Sequence, residues 1–245
     1  MQSTMLIITT IFAFAMPIGL LIYWKTRHGL SLFPFLMGAL SFLLFAMGLE
    51  QMLHAAVLGT DSPHSKVFQN NPWLYVAYGC LAAGIFEESG RFFTFKVLLR
   101  NYREKEISVA YGIGHGGIET ILTLGLSYLL MTLVSLGFTI GGTELSPVLI
   151  ESARTTTAPV MLLAMLERAS AMMLHIALSI IVFTAANRPG KIRLYPLAIV
   201  LHAAANIFAG MYQTGILTNI VIIELLTFLC SLCILLFGIR IYRRL

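Results

Sequence analysis

Apolar residues fall into seven long runs along this 245-residue chain, each interrupted by only a few polar positions. A run of ~20 residues is long enough to cross a bilayer core as a helix rising ~1.5 Å per residue. The pattern predicts spanning helices at 4–24, 30–57, 73–99, 107–138, 158–186, 194–213 and 216–239. Turn residues punctuate the gaps: Gly59-Thr-Asp61-Ser-Pro63, Asn70-Asn-Pro72 and Gly141-Gly142, with Trp73 and Tyr75 placed as interfacial aromatics.

The short polar gaps alternate in charge. Lys25 and Arg27, then Arg100, Arg103 and Lys105, then Arg188, Lys191 and Arg193, and finally Arg240, Arg243 and Arg244 occupy one set. The other set holds only Lys66 and Arg154. Basic residues stay cytoplasmic, which predicts an outer N-terminus, a cytoplasmic C-terminus and an odd number of spans, about seven. The first run lacks a preceding basic residue and a small-residue cleavage site, so it reads as an anchor rather than a removed signal peptide.

Composition fixes the class. Apolar residues make up 58% of the chain and charged residues 11%, against ~25% charged in soluble domains. With a mean hydropathy of +0.86, this is an all-α, polytopic membrane protein built as a single domain, 1–245. The lipid bilayer is its expected partner. The net charge of +5 bears on orientation, not on nucleic acid. Cys80, Cys230 and Cys233 lie in apolar runs and read as small hydrophobes, although Cys230-Ser-Leu-Cys233 has the spacing of a redox or metal pair.

Against that background, Phe86-Glu87-Glu88-Ser89-Gly90-Arg91 stands out. An ionisable group in mid-membrane costs at least ~2.5–3.5 kcal/mol, so it needs a partner, a water-filled cavity or a chemical role. A structural ion pair is the plain alternative to chemistry. Counting from the cytoplasmic ends, Arg91 lies ~12 Å deep and Glu87 and Glu88 ~16–18 Å. In Tyr111-Gly-Ile-Gly-His115-Gly-Gly-Ile-Glu119, His115 and Glu119 share one face at ~12 and ~18 Å. His202-Ala-Ala-Ala-Asn206 sits at similar depths, and His175 at ~16 Å. Four helices thus bring carboxylates, imidazoles, an amide and a guanidinium to one layer. Small residues beside them, Gly90, Gly112, Gly114, Gly116, Gly117 and Ala203 to Ala205, allow close backbone approach. A second layer toward the outer half, with Glu50, His54, Glu167, Arg168 and Glu224, is read as structural pairing, with Glu50–Arg168 the expected pair.

The set Glu87-Glu88-x-x-Arg91, Tyr111-x-x-x-His115 and His202-x-x-x-Asn206 resembles the glutamic intramembrane proteases, which include the CAAX-prenyl endopeptidases of type II (ABI family) and the PrsW proteases. With Gly-Ile-Gly-His-Gly-Gly-Ile-Glu119, the pattern is most similar to the bacterial YhfC family of intramembrane peptidases. The resemblance implies an intramembrane endopeptidase of the bacterial cell membrane acting on a membrane-anchored protein or peptide. Glu87 with His115 would activate water, Arg91 would hold the Glu87/Glu88 dyad, and His202 and Asn206 would donate to the oxyanion. Adjacent residues point ~100° apart on a helix, so one glutamate faces the site, and Glu87 is our choice. Glu119, His175 and Tyr111 are further candidates. A water-filled opening to the cytoplasm is expected.

This first reading needs no cofactor. A zinc version would use His115, His175, His202 and a carboxylate with an open position. A proton-coupled transporter draws on the same residue types but predicts paired repeats of broken helices, and the sequence shows none.

Overall fold

The computed structural model describes residues 2–60, 62–138 and 147–245, and every described element is a helix or a connecting turn. The predicted turns at Asp61 and at Gly141-Gly142 lie outside the described residues. The helices are α1 (Gln2–His28), α2 (Phe33–Leu58), α3 (Ser65–Gln69), α4 (Pro72–Phe93), α5 (Glu106–Ser135), α6 (Pro147–Thr155), α7 (Ala158–Asn187), α8 (Leu194–Gln213) and α9 (Ile220–Tyr242). The short α3 and α6 lie in gaps where the sequence predicted turns alone.

Local signals set the helix starts. Asn71 accepts the backbone N–H of Leu74 at 3.1 Å with Pro72 following it, and Asn219 accepts from Ile222 at 3.2 Å. A side-chain oxygen satisfies one of the otherwise unpaired first-turn donors, and proline has no donor to leave unpaired. Such satisfaction matters most where water is scarce.

Six helices, α1, α2, α5, α7, α8 and α9, are long and apolar enough to cross a membrane. With 22 residues, α4 has a comparable length of ~33 Å, but Glu87, Glu88 and Arg91 reduce its apolarity. It does not run regularly to residue 99: a stretch of wider i→i+5 turns, Thr94–Leu98, ends it. Similar wide turns interrupt α2 at Phe42–Glu50 and α5 at Ile121–Gly125. Each lies close in sequence to a residue of the polar layer, where such turns are frequent in functional sites.

The axis of the bundle is α7, packed against α1, α4, α5, α8 and α9. On one side of α5, a Cβ at Gly114 would sit 1.9 Å from the carbonyl oxygen of Phe35. On the other, a Cβ at Gly112 would sit 2.7 Å from Cα of Ile176. Lipid supplies no hydrophobic force between helices, so such backbone approach and the packing it allows hold the bundle together. It also wedges the turn carrying His115 between α2 and α7.

The four basic clusters collect at one end. The Trp24 indole donates to the Glu106 carbonyl at 3.0 Å, Arg103 pairs with Asn187, and Arg188 and Lys105 donate to the carbonyls of Leu245 and Tyr242 at 2.9 and 3.4 Å. At the opposite end Gln2 donates to the carbonyls of Ala153 and Arg154 at 3.0 and 2.7 Å. Toward the basic end Phe95, Leu99, Ile107, Tyr111, Leu178, Ile181 and Phe183 form one closed apolar cluster. All three cysteines are free thiols.

Candidate active site

Every imidazole of the predicted layer meets a carboxylate from another helix. His115 of α5 lies with Nε2 2.8 Å from Oε2 of Glu87 on α4. His202 of α8 lies with Nδ1 2.7 Å from Oε1 of Glu88, also on α4. His175 of α7 lies with Nε2 2.5 Å from Oε2 of Glu119 on α5. His115, His175 and His202 are buried, and their rings form a chain with centroids 4.6 and 5.6 Å apart.

Arg91 ties the pairs together. It is fully buried, with Nε 3.1 Å from Oε2 of Glu88 one turn away. Nη1 donates to the His175 carbonyl at 2.7 Å and to Ser179 Oγ at 2.6 Å, and Nη2 lies 3.2 Å from Nδ1 of His175. A guanidinium has no lone pair, so Nδ1 of His175 accepts and its Nε2 carries the proton that faces Glu119. Glu88 and Arg91 therefore act as the buried frame, while Glu87 borders open space. Ser179, one turn beyond His175, was not singled out from the sequence, although the i,i+4 spacing on α7 was available to find it.

Tyr111 is fully buried, with its hydroxyl unpaired and its ring packed 4.7 Å from Phe95, on the closed side of the layer. Phe42 presents its ring to His115 at 5.3 Å and 80°. Asn206 follows His202 by one turn of α8 and borders the cavity with it.

That cavity has a volume of about 300 Å³ and reaches from Glu87, His175 and His202 past Arg168 and Glu224 to Val160, Gln213 and Ile220. Those last residues start α7, end α8 and start α9, so the cavity rises toward the end opposite the basic clusters. The opening expected on the side of the basic clusters is therefore not where this cavity leads. The apolar cluster around Tyr111, Leu178 and Phe183 fills the basic side. A neighbouring space of about 590 Å³, lined by His54, Tyr75, Tyr78, Glu119, Arg168 and Asn206, opens in the same half.

The expected Glu50–Arg168 pair does not form. Glu50 pairs with His54 on its own helix at 3.1 Å, and His54 meets the Tyr78 hydroxyl at 2.9 Å. Arg168 reaches Glu119 at 2.8 Å and pairs with its neighbour Glu167. Glu50 ends the stretch of α2 that packs mainly on α4, and its local partner His54 shares a cavity wall with Arg168 while Glu50 itself stays paired within its own helix. The outer layer is also not separate, since Arg168–Glu119–His175–Arg91 connects it to the inner one.

A divalent ion fits one donor set. The ligand atoms of Glu87, His115 and His175 all lie within 4.8 Å of one another. Glu87 Oε2 is 2.8 Å from His115 Nε2 and 3.9 Å from His175 Nδ1. These distances bracket the ~3.3 Å edge of a tetrahedron with ~2.0–2.1 Å zinc bonds. His202 Nε2, 3.8 Å from Glu87 Oε1, borders the set. Glu119 and Glu88 hold the far nitrogens of His175 and His202, the support that ligating imidazoles normally receive. Of the three histidines and one carboxylate expected from sequence for a zinc site, His202 is the one outside this set. One contact opposes a ligand role for His175: Arg91 already faces its Nδ1 lone pair.

Comparison with known proteins agrees with this donor chemistry. Residues 12–227 match the sequence model of a family described as "YhfC intramembrane metalloprotease". The chain is 35% identical to a Bacillus subtilis (strain 168) protein described as "Uncharacterized membrane protein YhfC", over 89% of this chain and 88% of that one. No solved structure matches. Neither the donor set nor the family description supports the metal-free site of our first reading.

Proposed function

Since the chain belongs to the YhfC family of intramembrane metalloproteases, we propose that it hydrolyses peptide bonds of membrane-anchored proteins or peptides at the Glu87/His115/His175 centre. The observation that carries this reading is the convergence of those three donors, two of which, Glu87 and His175, line a cavity inside an apolar bundle. Seven crossings, with α4 as the third and the basic clusters in the cytoplasm, complete the arrangement.

Glu87, His115 and His175 would hold the ion, with His202 beside them. When bound, zinc supplies a Lewis acid and lowers the pKa of a water molecule. The other roles fall to the chain. The Nδ1–H of His202 is taken by Glu88, which leaves Nε2 free to accept the proton of the attacking water. The resulting imidazolium, held by the same carboxylate, returns that proton to the departing amine. Asn206, one turn along, offers amide protons to the oxyanion that develops on the scissile carbonyl. Arg91 and Ser179 position Glu88 and His175 without touching the substrate.

A metal-free glutamic mechanism is the second reading, favoured by the 2.8 Å Glu87–His115 contact and by Arg91 at Nδ1 of His175. There Glu87 takes the water proton directly. Metal analysis of purified protein, with cleavage of reconstituted single-span peptides before and after chelation, separates the two. Stoichiometric zinc that Glu87→Gln and His115→Ala both lose, with chelation abolishing cleavage, is the expected outcome. Cleavage that persists in metal-free protein selects the glutamic mechanism, and cleavage that survives both substitutions rejects the site.

A further inference from the structure

The cavity wall carries charge that the hydrolytic roles leave unused. Four carboxylates, Glu87, Glu119, Glu167 and Glu224, line it against one guanidinium, Arg168. Glu119 and Glu167 already hold that guanidinium. Among the described residues Glu224 has no such partner: it is 9% exposed, and its buried Oε2 makes no hydrogen bond. One turn along α9 comes Thr227 and two turns along comes Ser231, all three lining the cavity. Residues at i, i+3 and i+7 share a helix face, so α9 presents a polar stripe to the cavity. Its other positions include the exposed Leu225, Leu229 and Leu236.

Ser231 is a second, independent sign. Serine in a membrane helix ordinarily bonds a carbonyl of the preceding turn, as Ser170 and Ser179 do at 2.8 and 2.7 Å. Ser231 is 1% exposed and borders the cavity, and its hydroxyl has no partner among the described residues. An unpaired carboxylate and an unpaired hydroxyl on one wall are complementary to a donor group bearing positive charge. A neutral apolar segment would leave both unsatisfied at a cost.

We propose that Glu224 of α9, with Glu167 of α7, forms a substrate subsite for a cationic nitrogen, with Ser231, two turns further along α9, offering a separate polar contact to the same segment. The group is an alkylammonium or guanidinium carried on the segment that enters the cavity from the end opposite the basic clusters. The proposal rests on peptide hydrolysis at the Glu87 centre and specifies which membrane peptides that centre accepts.

The test uses full-length Glu87→Gln protein in nanodiscs, so that binding is read whether or not the wild type cleaves. The probe is a dye-labelled single-span peptide in three forms. One is acetylated with a single lysine in its flank, one is acetylated with norleucine at that position, and one has norleucine with a free amino terminus. The lysine form is expected to bind about 10- to 100-fold tighter than the acetylated norleucine form, the range for hydrogen bonds to a charged group. Tight binding by the free-amine form instead assigns the subsite to a peptide terminus. Adding Glu224→Gln should bring all three forms within about twofold, as should Thr227→Lys, which places a cation on the same face while keeping Glu224. Equal binding of the three forms before these changes, or a preference that survives both, overturns the proposal. Charge-selective binding without hydrolysis by the wild type rejects the protease reading and keeps the subsite. Hydrolysis without charge preference does the reverse.

Discussion

The two halves of α7 illustrate two kinds of membrane interior. From Ala177 to Ala186 every residue is buried among apolar neighbours, and only Ser179, Thr184 and their local bonds interrupt the packing. From Ala158 to His175 the same helix lines the cavity with Val160, Ala164, Glu167, Arg168, Ala171 and Leu174. Both halves are rich in apolar residues, but the cavity half carries Glu167, Arg168 and His175 whereas the closed half carries no charged residue. The neighbours widen the difference: the basic-end half meets Phe95, Tyr111 and Ile234, whereas the other half meets Asn206, Gln213 and Glu224. A helix bundle in lipid thus gains a sided reaction chamber by packing one half densely and leaving polar residues apart in the other.

The strongest way to break this contrast is to remove the charge at its boundary. Arg91→Ala should lower stability by about 3–5 kcal/mol, because Glu88 is left buried without its counter-charge. Thermal unfolding in nanodiscs reads this, and activity should fall with it as His175 loses its anchor. Asn206→Ala acts on the chamber alone. Loss of an oxyanion donor should lower kcat by about 10²–10³ with the melting temperature unchanged, and an unchanged kcat would remove Asn206 from the site.

Smaller changes sharpen the picture. Gly114→Ala forces α5 away from Phe35 and should cost about 1–3 kcal/mol as overpacking, visible as a lowered melting temperature. Thr227→Cys in intact cells should react with a membrane-impermeant maleimide, and Leu178→Cys should not, both in a background free of native cysteines. Equal labelling would disprove a chamber open at the end away from the basic clusters. Cys233→Ser, on an exposed thiol, should shift stability by no more than about 0.5 kcal/mol.

Much of this arrangement could be read from residue spacing. Run length located the long helices, and helix rise assigned depths, so His115, Glu119, His175, His202 and Asn206 could be grouped with Glu87 and Arg91 before any coordinates. Depth carries no information about direction around the bundle. Glu50 and Arg168 share a layer yet take different partners, His54 and Glu119. The open end was equally hidden, because closure depends on how Leu178, Ile181 and Phe183 interlock with their neighbours, and their apolar character matches that of Val160 and Ala164. The pairing of Glu88 rather than Glu87 with Arg91 also follows from rotation. Spacing alone required only that the two glutamates diverge.

None of the three imidazole–carboxylate pairs is local in sequence. Glu87 waits for His115, Glu119 for His175, and Glu88 for His202. During synthesis, α4 is therefore made with acids whose partners have yet to be translated, and Arg91, three residues from Glu88, is the one counter-charge within that helix. The last of these partners arrives with the penultimate helix. A nascent or truncated chain consequently holds no assembled centre, and hydrolytic capacity is withheld from the biosynthetic machinery until the bundle is nearly whole.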